Sequence, residues 1–107
     1  MWVTTTRGFF SVVAHRDQPE MVLVRARARE DLESLAEVIG PLEIETTPER
    51  DYGFRAVVPR ERWSAGLVLL AAEIDYDNFK NAVAERQGHD RARVYHRVWS
   101  ALTELQR

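Results

Sequence analysis

The run Met-Val-Leu-Val-Arg-Ala-Arg-Ala-Arg at positions 21–29 constrains the fold more than any other segment. It alternates with a period of two and then enters a helical pattern. On a strand, successive side chains point to opposite faces, so Val22, Val24, Ala26 and Ala28 line one face. Met21, Leu23, Arg25 and Arg27 line the other. That second face is apolar at one end and bears guanidiniums at the other, which marks it as a contact surface rather than a face seen only by water.

The elements around this strand follow from periodicity and turn chemistry. Thr4-Thr5-Thr6 and Phe9 to Ala14 are β-prone runs flanking Arg7-Gly8, which predicts a hairpin. With Arg7 and Gly8 as its loop, Val3, Thr5, Phe10, Val12 and Ala14 share one face. Trp2, Thr4, Thr6, Phe9, Ser11, Val13 and His15 share the other. Both faces carry large apolar groups, so cover is expected on both. Arg29 to Ile39 reads as a helix with Leu32, Leu35, Ala36 and Ile39 on its buried stripe. Glu30, Asp31 and Glu33 suit the positive end of its dipole, and Gly40-Pro41 stops it.

Leu42 to Thr47 then alternates as a strand, with Leu42, Ile44 and Thr46 inward and Glu43, Glu45 and Thr47 outward. Tyr52 to Val58 is a further strand with Tyr52, Phe54, Ala56 and Val58 on one face. A helix from Arg60 to Ile74 carries the stripe Trp63, Leu67, Leu70, Ala71 and Ile74. A short helix, Asn78 to Glu85, turns Phe79 and Val83 inward after an Asp77 N-cap. Asp90 caps a last helix with the stripe Tyr95, Val98, Trp99, Leu102 and Leu105. The order predicts a single α+β domain over residues 1–107. Its antiparallel sheet has four to five strands with helices on one face, in a ferredoxin-like (split βαβ) arrangement. The N-terminal hairpin is an addition to that arrangement. The C-terminal helix either joins the helical layer or crosses to the arginine face.

Composition narrows the function classes. A net charge of −2 gives no global field for nucleic acid or anionic lipid, so any anion site is a local patch. Lys80 is the only lysine, leaving 14 of the 15 cations as arginine. That bias suits bidentate recognition of carboxylate or phosphate, and a GC-rich coding sequence produces it too. With no cysteine, disulfides, thiolate nucleophiles and cysteine-based zinc sites drop out. The first residues lack a basic stretch followed by an apolar one, and the longest apolar run, Leu67 to Ala72, is too short to span a bilayer. A cytoplasmic protein without a membrane association is expected.

Arg25, Arg27 and Arg55 project from the side of the sheet away from the first two helices, where Glu43 and Glu45 can join them. Three readings fit. The arginines form cross-strand pairs with the glutamates and carry no function. Alternatively they belong to a partner-chain interface with Met21, Leu23 and Val57 as its apolar half, most simply a homodimer. In the third reading they bind a small anion or nucleic acid, where Trp2 and Phe9 are available for base stacking.

A second candidate region is Asp75-Tyr76-Asp77-Asn78-Phe79-Lys80-Asn81. Glu73, Asp75 and Asp77 could hold a hard cation, but the segment lacks the glycine and distal glutamate of an EF-hand loop. A helix–helix corner is the simpler reading. His15, His89 and His96 lack the spacing of a zinc set. No glycine elbow surrounds Ser11, Ser64 or Ser100, and neither GxGxxG nor a Walker loop is present. No cofactor is expected, and nothing calls for catalysis.

Several segments together resemble a family of small bacterial and phage-associated proteins for which no activity is established. They are Met-Trp-Val-Thr-Thr-Thr-Arg-Gly-Phe-Phe-Ser-Val-Val at the start, the Val-Arg-Ala-Arg strand and Asp51-Tyr52 with Arg55. The Asp75–Asn81 segment and Tyr95 with Val98-Trp99 complete the set. The resemblance covers nearly the whole chain. It implies that Gly8, Arg25, Arg27, Tyr52, Arg55, Asp75, Asn78 and Lys80 act as a set. The expected function is therefore a non-catalytic binding module. It would contact a partner chain or small anionic ligand through Arg25, Arg27, Arg55 and Tyr52, with Asp75, Asn78 and Lys80 as further candidates. Nucleic-acid binding or nucleotide processing by the same arginines, with Asp75 or Asp77 as acid or metal ligand, is the alternative.

Overall fold

The computed structural model describes residues 1–107. The protein is α+β, with one five-stranded antiparallel sheet and four α-helices. Two compact units divide the chain, Met1–Ile74 and Asp75–Arg107. The first holds β1 (Trp2–Thr5), β2 (Gly8–Ala14), β3 (Met21–Ala26), α1 (Arg29–Ile39), β4 (Glu45–Thr46), β5 (Phe54–Pro59) and α2 (Arg60–Ala72). The second holds α3 (Phe79–Gln87), α4 (His89–Leu102) and a closing 3-10 turn, Thr103–Leu105.

The sheet runs β1-β2-β3-β5-β4. Strand β5 lies between β3 and β4, which α1 connects, and is antiparallel to both. The other flank of β3 is taken by β2 of the hairpin. One sheet face supplies Phe10, Val12, Val22, Val24, Ala26, Ala56 and Val58 to the core. Leu32, Leu35 and Ile39 of α1 and Trp63 and Leu70 of α2 cover it. The helices approach closely because α2 carries Gly66, where a Cβ would collide with Ile39. Arg62 of α2 donates to Ile39 O and Pro41 O, both at 2.5 Å, bringing a cation to the negative end of α1.

The hairpin differs from its sequence reading by two positions. Thr5 pairs with Gly8 and Thr4 with Phe9, so Thr6-Arg7 is the loop and β1 begins at Trp2. A one-residue slip would have exchanged the faces; a slip of two preserves them. The cause lies across the fold. Arg7 reaches from the loop to donate bidentately to Glu73, with Nε–Oε1 and Nη2–Oε2 both 2.8 Å, and to Ser34 O at 2.9 Å. Its guanidinium is held above the ordinary arginine value, first by the Glu73 hydrogen bond, against desolvation. A raised cationic pKa stabilises the fold at every pH below the unfolded value, and the contribution is lost only in strong alkali. Arg7→Ala should cost about 2 kcal/mol, because charge-assisted bonds contribute about 1.5–3 kcal/mol each and this pair is partly solvated. A differential melting curve that moved by less than about 3 °C would show the clasp to be dispensable.

Four further expectations are corrected. Strand β4 is only Glu45–Thr46: Leu42 and Ile44 do pack on the core, but Thr46 is exposed and Thr47 buried. Thr47 leaves the alternation because its N–H bonds Gly53 O at 2.7 Å and its hydroxyl donates to Tyr52 O at 2.8 Å, closing a loop. That loop starts β5 at Phe54 and leaves Tyr52 buried but apart from the cluster that Phe54, Ala56 and Val58 join. In α2, Ala71 is exposed, as is Ile74 beyond the helix end.

In the second unit α3 and α4 pack on each other, with Phe79 stacked on Tyr95 at 6.0 Å between ring centroids. Asn78, not Asp77, caps α3, its side chain accepting from Asn81 N at 2.9 Å. Gly88 rather than Asp90 precedes α4. Of the stripe assigned to α4 only Tyr95 is buried; Val98, Trp99, Leu102 and Leu105 are exposed. No helix is long and apolar enough to cross a membrane.

Candidate functional site

The sheet face away from α1 and α2 carries a lateral row, one residue from each strand. Trp2 stands opposite Ser11, Ser11 opposite Arg25, Arg25 opposite Arg55, and Arg55 opposite Glu45. Neighbouring strands lie about 4.8 Å apart, so Arg25 and Arg55 are held side by side. Like charges directly opposite destabilise a ladder. The chain maintains them with oxygen acceptors and one aromatic ring.

Arg25 Nη2 donates to Ser11 Oγ at 2.8 Å. Arg55 Nε donates to Thr47 Oγ1 at 3.2 Å, and Arg27 Nη1 to Asp51 O at 2.6 Å. The guanidinium carbons of Arg25 and Arg27 lie 4.7 Å and 4.5 Å from the centroid of the Tyr52 ring. The ring's negative quadrupole attracts both cations, by about 0.5–1 kcal/mol each where water competes. Arg25 Nε is buried without a hydrogen-bond partner.

The cross-strand Arg–Glu pairs of the first of the three readings do not form. No carboxylate is within 4.0 Å of Arg25, Arg27 or Arg55, although Glu45 stands across the ladder from Arg55. Two guanidiniums over the Tyr52 ring and a third, that of Arg55, which donates to Tyr52 O at 3.4 Å, hydrogen-bond only neutral oxygens and keep their charge uncompensated. Such a patch suits phosphate or carboxylate, which a planar guanidinium can grip with two parallel N–H donors. At the β1 edge of the row Trp2 is 74% exposed and meets Phe9 edge to face, with centroids 5.7 Å apart.

No family model, curated protein or solved structure matches the chain. The assignment of the site therefore stands on its geometry.

Four of the seven residues singled out in the sequence, Arg25, Arg27, Arg55 and Tyr52, come together. Asp75, Asn78 and Lys80 lie in the second unit, each with a local partner. Asp75 accepts from Arg86 Nη2 at 3.1 Å, and Asn78 caps α3. Lys80 Nζ sits 2.9 Å from His96 Nδ1 and 4.3 Å from the centroid of the Trp99 ring, on which His96 stacks. Glu73, weighed as a cation ligand, is taken by Arg7. Ser11 and Thr47 were missed as members of the arginine cluster. Ser11 could have been found as the one polar residue within Phe9–Val13, whereas Thr47 carries no local signal, because its role depends on the loop it closes.

Proposed function

We propose that the protein is a non-catalytic cytoplasmic binding module that receives an anionic group, phosphate or carboxylate, on Arg25, Arg27 and Arg55. One observation carries this reading: three guanidiniums gather around Tyr52, two over its ring and Arg55 on its backbone carbonyl, and none has a carboxylate partner. The groups around them are hydroxyls, a phenol and backbone carbonyls, which position cations but offer no base for proton transfer at neutral pH. On the fold, we read the strand order as ferredoxin-like, with β2 standing where the last strand of that arrangement would lie.

The bearer of the anion is a small ligand or a partner chain. Supporting a partner, the same face borders the arginines with exposed Val13 and Val57 and half-buried Met21 and Leu23. A homodimer through this face is the simplest such partner, and Val57→Asp should dissociate it in a light-scattering series.

The experiment is an NMR titration with inorganic phosphate and, separately, malonate. Saturable shifts of the Ser11, Arg25, Thr47 and Arg55 amides that disappear in high salt are expected. Shifts spread evenly over the surface, or none, would reject the site. The nucleic-acid reading has exposed Trp2 beside the arginine row in its favour. It requires binding of a mixed-sequence single-stranded oligonucleotide that weakens log-linearly with salt and drops on Trp2→Ala.

A further inference from the structure

On α4 the residues Val94, Val98, Ala101, Leu102 and Leu105 repeat at spacings of three and four, which places them on one side of the helix. All are exposed, Leu105 at 76% and Leu102 at 56%. Tyr95 and Trp99 occupy the adjacent side, where Tyr95 stacks on Phe79 and Trp99 lies under Lys80 of α3. The apolar stripe is thus separate from the α3 contact. The helix passes directly into the 3-10 turn Thr103–Leu105, whose tighter winding keeps Leu105 within the stripe beside Val98 and Leu102.

The charges beside the stripe select what covers it. Arg97 and Glu104 flank its far edge one heptad apart, both exposed, and neither has an ion-pair partner in the chain. With Val98 and Leu105 as a positions and Val94 and Ala101 as d positions, Arg97 and Glu104 are both g positions. In an antiparallel pair of such helices the a residues meet d residues of the other strand and g faces g. Val98 then packs on Ala101 of the second copy and Leu105 on its Val94. In the same register Arg97 meets Glu104 of the other copy, and two-fold symmetry makes that pair twice. A parallel pair would instead put Arg91, the preceding a position, against its own counterpart in the seam.

We propose that α4 is a self-association surface, whose occupant is α4 of a second copy of this chain, antiparallel and centred near Ser100. The seam spans about two heptads, so the dimer is weak and concentration-dependent. It is independent of the anion site and of the sheet face, and the measurements are best made in the Val57→Asp background.

The test is a charge-inversion series followed by sedimentation equilibrium over micromolar to millimolar concentrations. Arg97→Glu places four carboxylates along the seam and Glu104→Arg places four guanidiniums there. Each alone should weaken dimerisation roughly tenfold, since exposed pairs contribute up to about 1 kcal/mol and like pairs cost as much. An equimolar mixture of the two variants should dimerise as well as the unmodified chain, because every flanking pair is again opposite in sign. Both positions are exposed, so circular dichroism should report unchanged helix content. Val98→Asp should leave only monomer. A chain that stays monomeric throughout the series would overturn the proposal, as would single variants that associate as well as their mixture.

Discussion

Gly8→Ala should unfold the sheet unit at temperatures the unmodified chain withstands. Gly8 has φ +154°, a conformation that residues with a Cβ rarely adopt, and a Cβ there would overlap the Asp31 side chain. Neither partner can yield. Asp31 is only 2% exposed and accepts from Phe9 N at 3.0 Å, and Gly8 is fixed in the ladder opposite Thr5. Backbone strain of about 1–3 kcal/mol adds to an overpacking cost of similar size, a substantial share of the stability of a small domain. A loss of at least about 10 °C in melting temperature is expected. Gly53→Ala is the control, since a Cβ there meets nothing within 4 Å. If the clash with Asp31 is the cause, Gly8→Ala and Asp31→Ala should combine far from additively. A Gly8→Ala protein that melts with the unmodified chain would show that this contact does not fix the hairpin on α1.

The same contact explains what the sequence could and could not reveal. Asp31 reads as an acidic residue in a first helical turn, and α1 does occupy Arg29–Ile39 as its spacing predicts. What local pattern cannot show is that the carboxylate is buried under the hairpin, because that depends on residues 22 positions away. Strand β3 and the stripes of α1 were legible because each repeats its period over its whole length. The hairpin register was not, since Arg-Gly resembles a turn and the tether that moves the loop to Thr6-Arg7 comes from Glu73. Tyr52 keeps the parity of Phe54, Ala56 and Val58, yet the bonds of Thr47 to Tyr52 O and Gly53 O remove it from the ladder. On α4 the amphipathic spacing is real. Periodicity identifies an apolar face but does not supply the surface that buries it.

The arginine cluster was legible as a face, and its lack of carboxylates was not. That difference decides the outcome of replacing Arg25 and Arg27 together with glutamine. Were they locked to Glu43 and Glu45, neutralisation should lower the melting temperature by several degrees. In the structure the losses are two cation–π contacts with Tyr52, the bond of Arg25 to Ser11 and the solvent-exposed bond of Arg27 to Asp51 O. Against them stands relief of the like-charge opposition between Arg25 and Arg55. These terms are each within about 1 kcal/mol and oppose one another, so the double variant should melt within a few degrees of the unmodified chain. Binding should respond very differently. Glutamine keeps much of the length but supplies neither charge nor the paired donors of a guanidinium, and losing a charged partner costs about 2–5 kcal/mol. Phosphate affinity should therefore fall at least about 30-fold. Arg25→Lys, which keeps the charge without the planar fork, should fall between the two. A double variant that folds normally and still binds phosphate with undiminished affinity would place the anion elsewhere on the protein.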